Sequence, residues 1–123
     1  MMNEFKRIYG RVRDISPGEL SAAFAAIDWI RVVVLFGSRA GAGKTPPNSR
    51  SDYDFAVSMA KNAPAAWGHI AQARLEIGQA LQLDDGDFDL VDLEIAPAGI
   101  KESINEGYLL LKGSENELRT LLG

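Results

Sequence analysis

Three short stretches carry the residues of this chain whose types and spacing could do chemistry. Gly37-Ser38-Arg39-Ala40-Gly41-Ala42-Gly43-Lys44 follows directly on the apolar run Arg31-Val32-Val33-Val34-Leu35-Phe36. Asp52 and Asp54 flank Tyr53 in Ser51-Asp52-Tyr53-Asp54-Phe55, and Asp89 sits in Phe88-Asp89-Leu90-Val91-Asp92-Leu93. A glycine lets the backbone come close to a phosphate, and consecutive N–H groups where a turn leaves a strand form an anion nest. Ser38 adds a hydroxyl donor to that nest. Acidic residues at i and i+2 of a strand point the same way, about 7 Å apart along the chain. Their carboxylates can close on a pair of divalent cations about 4 Å apart. Oxygen-only ligands favour Mg²⁺ or Mn²⁺ over zinc. A neighbouring strand lies about 4.8 Å away, so Asp89 can complete a three-carboxylate cluster. Three like charges in one cleft repel and raise their own pKa values unless a cation joins them. A phosphate cradle beside a metal clamp is what phosphoryl or nucleotidyl transfer requires. The turn then holds a triphosphate, Asp52 and Asp54 hold metal, and Asp89 helps to take the proton from the attacking hydroxyl.

The elements that position these residues follow from patterning. Ser16-Pro17-Gly18-Glu19 reads as a helix start, with Ser16 as cap, Pro17 at the first helical position and Glu19 closing a capping box. Leu20, Ala23, Phe24, Ile27 and Ile30 continue it at helical spacing. Arg31 to Phe36 is a buried strand ended by glycine, and residues 39–51 form a long loop. Tyr53 to Ser58 is a second strand, with Asp52, Asp54 and Ala56 on one face and Tyr53, Phe55 and Val57 on the other. Lys61 to Leu83 reads as the longest helix, opening after Asn62 with Pro64 in its first turn. Its apolar stripe is Trp67, Ile70, Ala73, Ile77 and Leu81, with the single histidine, His69, at the boundary. Asp84-Asp85-Gly86 is a turn, Asp87 to Glu94 a third strand, and Pro97 opens a short helix that Gly107 ends. Tyr108 to Leu111 is an edge strand and Glu115 to Leu122 an amphipathic tail. Tyr108 to Leu111, Leu118, Leu121 and Leu122 either complete the core or dock a partner.

The chain has 123 residues, 46% hydrophobic and 24% charged, the composition of one globular domain. The domain spans 1–123, with a core over about 16–111 and a short C-terminal tail at 112–123. It has no cysteine, which excludes a disulfide scaffold and a thiolate zinc site. The net charge of −4 argues against broad electrostatic capture of nucleic acid. The local basic cluster Lys6, Arg7, Arg11 and Arg13 reads as a solvated face. No stretch approaches the roughly 20 apolar residues of a membrane span and no signal peptide is visible, so the expected location is the cytoplasm.

Taken together and in order, the three stretches resemble the polymerase β-type nucleotidyltransferases. Within them the chain is similar to the minimal nucleotidyltransferases, the MntA-type antitoxins that pair with HEPN-domain toxins. The resemblance covers residues 20–111, and the Gly-Ser to Asp-x-Asp motif is its most specific part. Ile104-Asn105-Glu106-Gly107-Tyr108-Leu109 is similar to the family's closing helix-to-strand segment. The resemblance implies an α/β (α+β) fold in which a mixed β-sheet is flanked by helices, Mg²⁺ (or Mn²⁺) as cofactor, and ATP as nucleotide donor. It further implies transfer of AMP to a tyrosine of the cognate toxin, which silences that toxin's RNase activity. Carried over by motif position, Gly37 and Ser38 bind the triphosphate, Asp52 and Asp54 bind metal, and Asp89 is the third carboxylate of the catalytic and metal-binding set. Asp92 is the alternative to Asp89, on the opposite face by alternation. Family members commonly carry an Ala-Arg-Gly where this chain has Ala40-Gly41-Ala42-Gly43, and 13 residues separate Ser38 from Asp52. The longer loop presents Lys44 or Arg50 to the phosphates in that arginine's place, and Arg39 and Lys44 join Gly37 and Ser38 as the nucleotide-binding residues.

Gly43-Lys44-Thr45 suggests a P-loop, but that pattern needs glycine five positions before Gly43, where Ser38 stands. A non-catalytic antitoxin would neutralise its partner by binding alone, against which all three carboxylates are present. Small-molecule members of the family this chain resembles usually carry an added domain for the acceptor, and an RNA end suits an acidic chain poorly; the resemblance and the size imply a protein acceptor.

Overall fold

Six of the seven residues in Ile30–Phe36 are buried, as befits this β1, an interior strand of the sheet. The computed structural model describes residues 12–40, 52–61 and 68–123. Beside β1 the described residues form strands β2 (Tyr53–Met59), β3 (Phe88–Asp92) and β4 (Tyr108–Lys112). Their helices are α1 (Pro17–Ala25), α2 (His69–Leu81), α3 (Ala98–Glu106) and α4 (Glu115–Leu122). The sheet runs β3-β2-β1-β4, with β1 antiparallel to both neighbours and β2 parallel to β3. A parallel pair needs a crossover, and α2 supplies it. This is the expected mixed sheet flanked by helices, an α+β fold, and Tyr108–Lys112 is an edge strand as expected.

Alternation along β2 divides two cores. Tyr53, Phe55 and Val57 face the larger one with Phe24, Val33, Leu35, Ile77, Leu81 and Phe88. Phe55 is its centre, 5.1 Å from the Phe24 ring, 5.8 Å from Tyr53 and 6.2 Å from Phe88. Ala56 faces the smaller core with Val32, Val34, Phe36, Leu93, Ile104 and Leu118. Asp54 shares that face by the same period of two.

Several element boundaries differ from the sequence expectation, each for a local reason. Ser16 Oγ accepts the Glu19 N–H as a cap does, but the Glu19 carboxylate takes Arg13. Helix α1 stops at Ala25, so Ile27 and Ile30 are buried from the following turn and from β1, not from the helix stripe. Lys112 Nζ donates to the carbonyls of Phe24 (3.2 Å) and Ile27 (2.8 Å) and so closes the end of α1 from β4. Helix α2 begins at His69 after Gly68, whose φ of +99° is non-helical, whereas the sequence suggested a start near Lys61. Lys61 is in a turn, and Asn62, Pro64 and Trp67 lie outside the described residues. The third strand is shorter than 87–94. Asp87 is buried in a reciprocal capping box with Asp84, and Leu93–Ile95 forms a 3-10 turn that Asp92 caps.

The segment expected as a tail is packed: Leu118 is 0% exposed in the smaller core. Ser114 caps α4 by accepting the Glu117 N–H. No helix among the described residues is long and apolar enough to cross a membrane. Leu118→Ala is expected to lose about 2–5 kcal/mol in urea unfolding. Leu75→Ala, an exposed control on α2, should change stability by less than about 0.5 kcal/mol.

Candidate active site

The site lies where β1 ends and β2, β3 and β4 begin. Phe36 pairs with Asp54 and with Tyr108, and Asp54 pairs with Asp89. One row, Asp89-Asp54-Phe36-Tyr108, therefore crosses the whole sheet in register. Neighbours in such a row sit about 4.8 Å apart, so the two carboxylates are side by side on one face. Asp54 is half-buried, while Asp89 and Asp52 are exposed. Asp52 precedes β2 by one residue.

Burial raises the Asp54 carboxyl, and the charges of Asp89 and then Asp52 push it further, to about 6. The charges of Asp89 and Asp52 thus both reach Asp54. The oxygen-only chemistry of the three carboxylates suits a hard divalent cation. No three His, Cys, Asp or Glu side chains among the described residues cluster as a ready-made metal site.

Gly37 turns the chain out of β1 with φ +79°. A Cβ there would lie 2.5 Å from Asp54 Oδ2, so no side chain fits between the turn and the carboxylate. The Ala40 N–H returns to the Gly37 carbonyl (3.1 Å) and winds Ser38–Ala40 into one 3-10 turn. Gly37, Ser38 and Asp54 are therefore brought together, and Asp89 joins them through the sheet register.

Arg39 lies elsewhere. Its guanidinium pairs with Asp14 at 2.9 Å and stacks 4.7 Å from the Tyr53 ring, on the face of β2 opposite Asp54. Asp92 sits three residues beyond Asp89 and caps the 3-10 turn through the Glu94 N–H at 2.9 Å. Lys44 and Arg50, with the P-loop-like stretch, lie outside the described residues, as do Lys6, Arg7 and Arg11.

Two features escaped the sequence reading. The Tyr53 phenol accepts the Ile15 N–H at 2.9 Å and donates to the Arg13 carbonyl at 2.8 Å. Burial raises its pKa, opposed by the Ile15 hydrogen bond, so it remains a neutral donor. A polar-tipped aromatic on an otherwise apolar face was the available signal. At the other end of the row, the Tyr108 phenol donates to Glu115 of α4, a pairing that spacing alone does not reveal.

The family model described as polymerase beta, nucleotidyltransferase matches residues 19–116. No curated protein matches the sequence. Among solved structures, the chain is similar to a mutant MntA-HpeT toxin–antitoxin complex at 18% identity and TM-score 0.63, over 88% of this chain and 82% of that one. A toxin–antitoxin structure with AMP-PNP matches at 22% identity and TM-score 0.61, over 88% and 82%. A tri-AMPylated Shewanella oneidensis HEPN toxin in complex with an MNT antitoxin matches at 18% and 0.59, over 87% and 81%. At these identities the likeness is one of fold.

A carboxyl raised in the fold stabilises it when protonated, and that contribution is lost as pH climbs through about 6. In EDTA, Asp54→Asn should therefore melt above the wild type at pH 7.5. The difference should shrink as pH falls and vanish below about 4, near the ordinary carboxylate value. Thermal scans of both proteins from pH 4 to 8 check this.

Proposed function

The chain belongs to the polymerase β nucleotidyltransferase family, and from that premise we propose that it moves AMP from ATP to a protein hydroxyl. The acceptor in this reading is a tyrosine of a cognate HEPN-domain toxin, and the chain is the antitoxin of the pair, acting in the cytoplasm. The observation that carries the chemistry is the contact of Gly37 with Asp54, with Asp89 in register beside it. Support for the partner comes from the fold shared with MntA-type and MNT antitoxin complexes.

In this mechanism the backbone N–H groups after Gly37 and the Ser38 hydroxyl bind the triphosphate, which an anion nest favours. Asp52, Asp54 and Asp89 would hold Mg²⁺, which when bound neutralises charge developing on the phosphates. Asp89, the exposed partner of Asp54, takes the proton of the acceptor hydroxyl. The hydroxyl oxygen bonds to the α-phosphorus, the bond to the bridging oxygen breaks, and pyrophosphate leaves. Asp54 stays against Gly37 and keeps the reacting groups at a fixed separation.

Incubation with α-labelled ATP, Mg²⁺ and the protein encoded beside this one tests the reading. Label should appear on that partner, and γ-labelled ATP should leave none. Asp54→Ala should cut labelling by about 10²–10³-fold. Gly37→Ala, which strains a positive φ and displaces the carboxylate, should cut it by about 100-fold while remaining folded. An Asp52→Ala, Asp54→Ala double variant that still neutralises the partner would favour neutralisation by binding alone.

A further inference from the structure

Arg39 lies within the turn proposed to bind phosphate, and an arginine there invites the reading of a phosphate ligand. Its surroundings argue otherwise. The side chain is 8% exposed, and Nη1 is 2.9 Å from Asp14 Oδ1 and 3.4 Å from the Tyr53 hydroxyl. The guanidinium carbon stands 4.7 Å from the centre of the Tyr53 ring. A cation that grips phosphate needs its head in the cleft, but this head is covered on one side by an aromatic face and neutralised by a carboxylate.

Tyr53 is itself fixed at its far end. Its hydroxyl accepts from Ile15 N (2.9 Å) and from Arg39, and donates to the Arg13 carbonyl (2.8 Å), which uses its one proton and both lone pairs. Arg13 in turn donates to the Leu81 carbonyl at the end of α2 (3.0 Å). The ring belongs to the residue between Asp52 and Asp54, so whatever holds it holds the strand that presents both carboxylates. Arg39 belongs to the turn that begins at Gly37.

We propose that Arg39 is a positioning residue that braces the Gly37–Ala40 turn against Tyr53, and so fixes the distance between the triphosphate turn and the Asp52/Asp54 strand. The proposal rests on the transferase reading above. It separates two roles that a motif would assign to one loop: Gly37 and Ser38 meet the phosphates, and Arg39 sets where they meet them.

A brace of this kind couples metal binding to nucleotide binding. Calorimetry with AMP-PNP, with and without Mg²⁺, measures that coupling without needing an acceptor. In wild type, Mg²⁺ should tighten AMP-PNP. In Arg39→Gln the affinity without Mg²⁺ should stay within about threefold, while the tightening by Mg²⁺ falls by about tenfold. Arg39→Lys, which keeps the charge but loses the flat stacking face, should recover only part of it. Should Arg39→Gln fail to fold, Asp14→Asn and Tyr53→Phe carry the test, each lowering the tightening by about threefold. A tenfold or greater loss of affinity without Mg²⁺, with the tightening intact, would make Arg39 a phosphate ligand and overturn the brace. Unchanged tightening in every variant overturns it as well. Wild type that fails to bind AMP-PNP sinks the transferase reading and the brace together. Wild type that binds it but labels no partner removes only the acceptor assignment.

Discussion

The approach of Gly37 to Asp54 is the constraint on which the site depends. Because a β-carbon would stand 2.5 Å from Asp54 Oδ2, residue 37 can carry no side chain, and its φ of +79° demands glycine independently. The contact also fixes the pairing of β1 with β2, since Phe36 lies opposite Asp54. A slip of one residue would turn Asp54 toward Phe24 and Phe88 and bring Tyr53 and Phe55 to the face of the site. Side-chain alternation and the turn therefore specify the same register, and a change to either disturbs both.

Such a site works against the stability of the sheet that bears it. Asp54 is half-buried beside two other carboxylates, and its burial and their charges push its carboxyl up to about 6. Opposing it, β2 is covered on both faces. Rings at 5.1–6.2 Å surround Phe55 on one side, and Val34, Phe36, Ile104 and Leu118 pack on the other. The strain is local and electrostatic, whereas the offset is spread over two cores and is non-directional. A divalent cation would relieve the first without changing the second. That asymmetry explains how a chain of 123 residues keeps an unfavourable charge cluster where the interior strand β2 meets the edge strand β3.

Much of this was legible in the sequence, for identifiable reasons. Arg31 to Phe36 and Tyr53 to Phe55 are dominated by residues that fit a pleated sheet, and glycine punctuates the first. The assignment of Asp54 and Phe55 to opposite faces needed only a period of two. Boundaries were less legible where a side chain competes with the backbone pattern. Asp87 continues the alternation of β3 on paper, yet its carboxylate is drawn into a capping box with Asp84. Ile30 fits the stripe of α1, but the helix ends at Ala25, where Lys112 reaches over from a distant strand. The burial of Leu118 and the pairing of Tyr108 with Glu115 likewise depend on contacts across the fold. Local spacing carries no information about such partners.

The anchor of the carboxylate strand shows why packing alone would not suffice. Phenylalanine at position 53 would fill the same space against Phe55, but apolar contacts tolerate sliding by fractions of an ångström along the strand. Hydrogen bonds do not, because their angles and lengths weaken steeply outside a narrow range. The Tyr53 hydroxyl is held by groups from residues 13 and 15 and from Arg39, that is, from the segment before α1 and from the turn after Gly37. Phosphoryl chemistry is sensitive on that same length scale, since displacement of a reacting group by about 1 Å costs about 100-fold in rate. The strand thus divides its labour by face. Asp54, with Asp52 just before the strand, carries a carboxylate on the even-numbered side, and the odd-numbered residue between them carries the directional bonds that hold the pair beside the Gly37 turn.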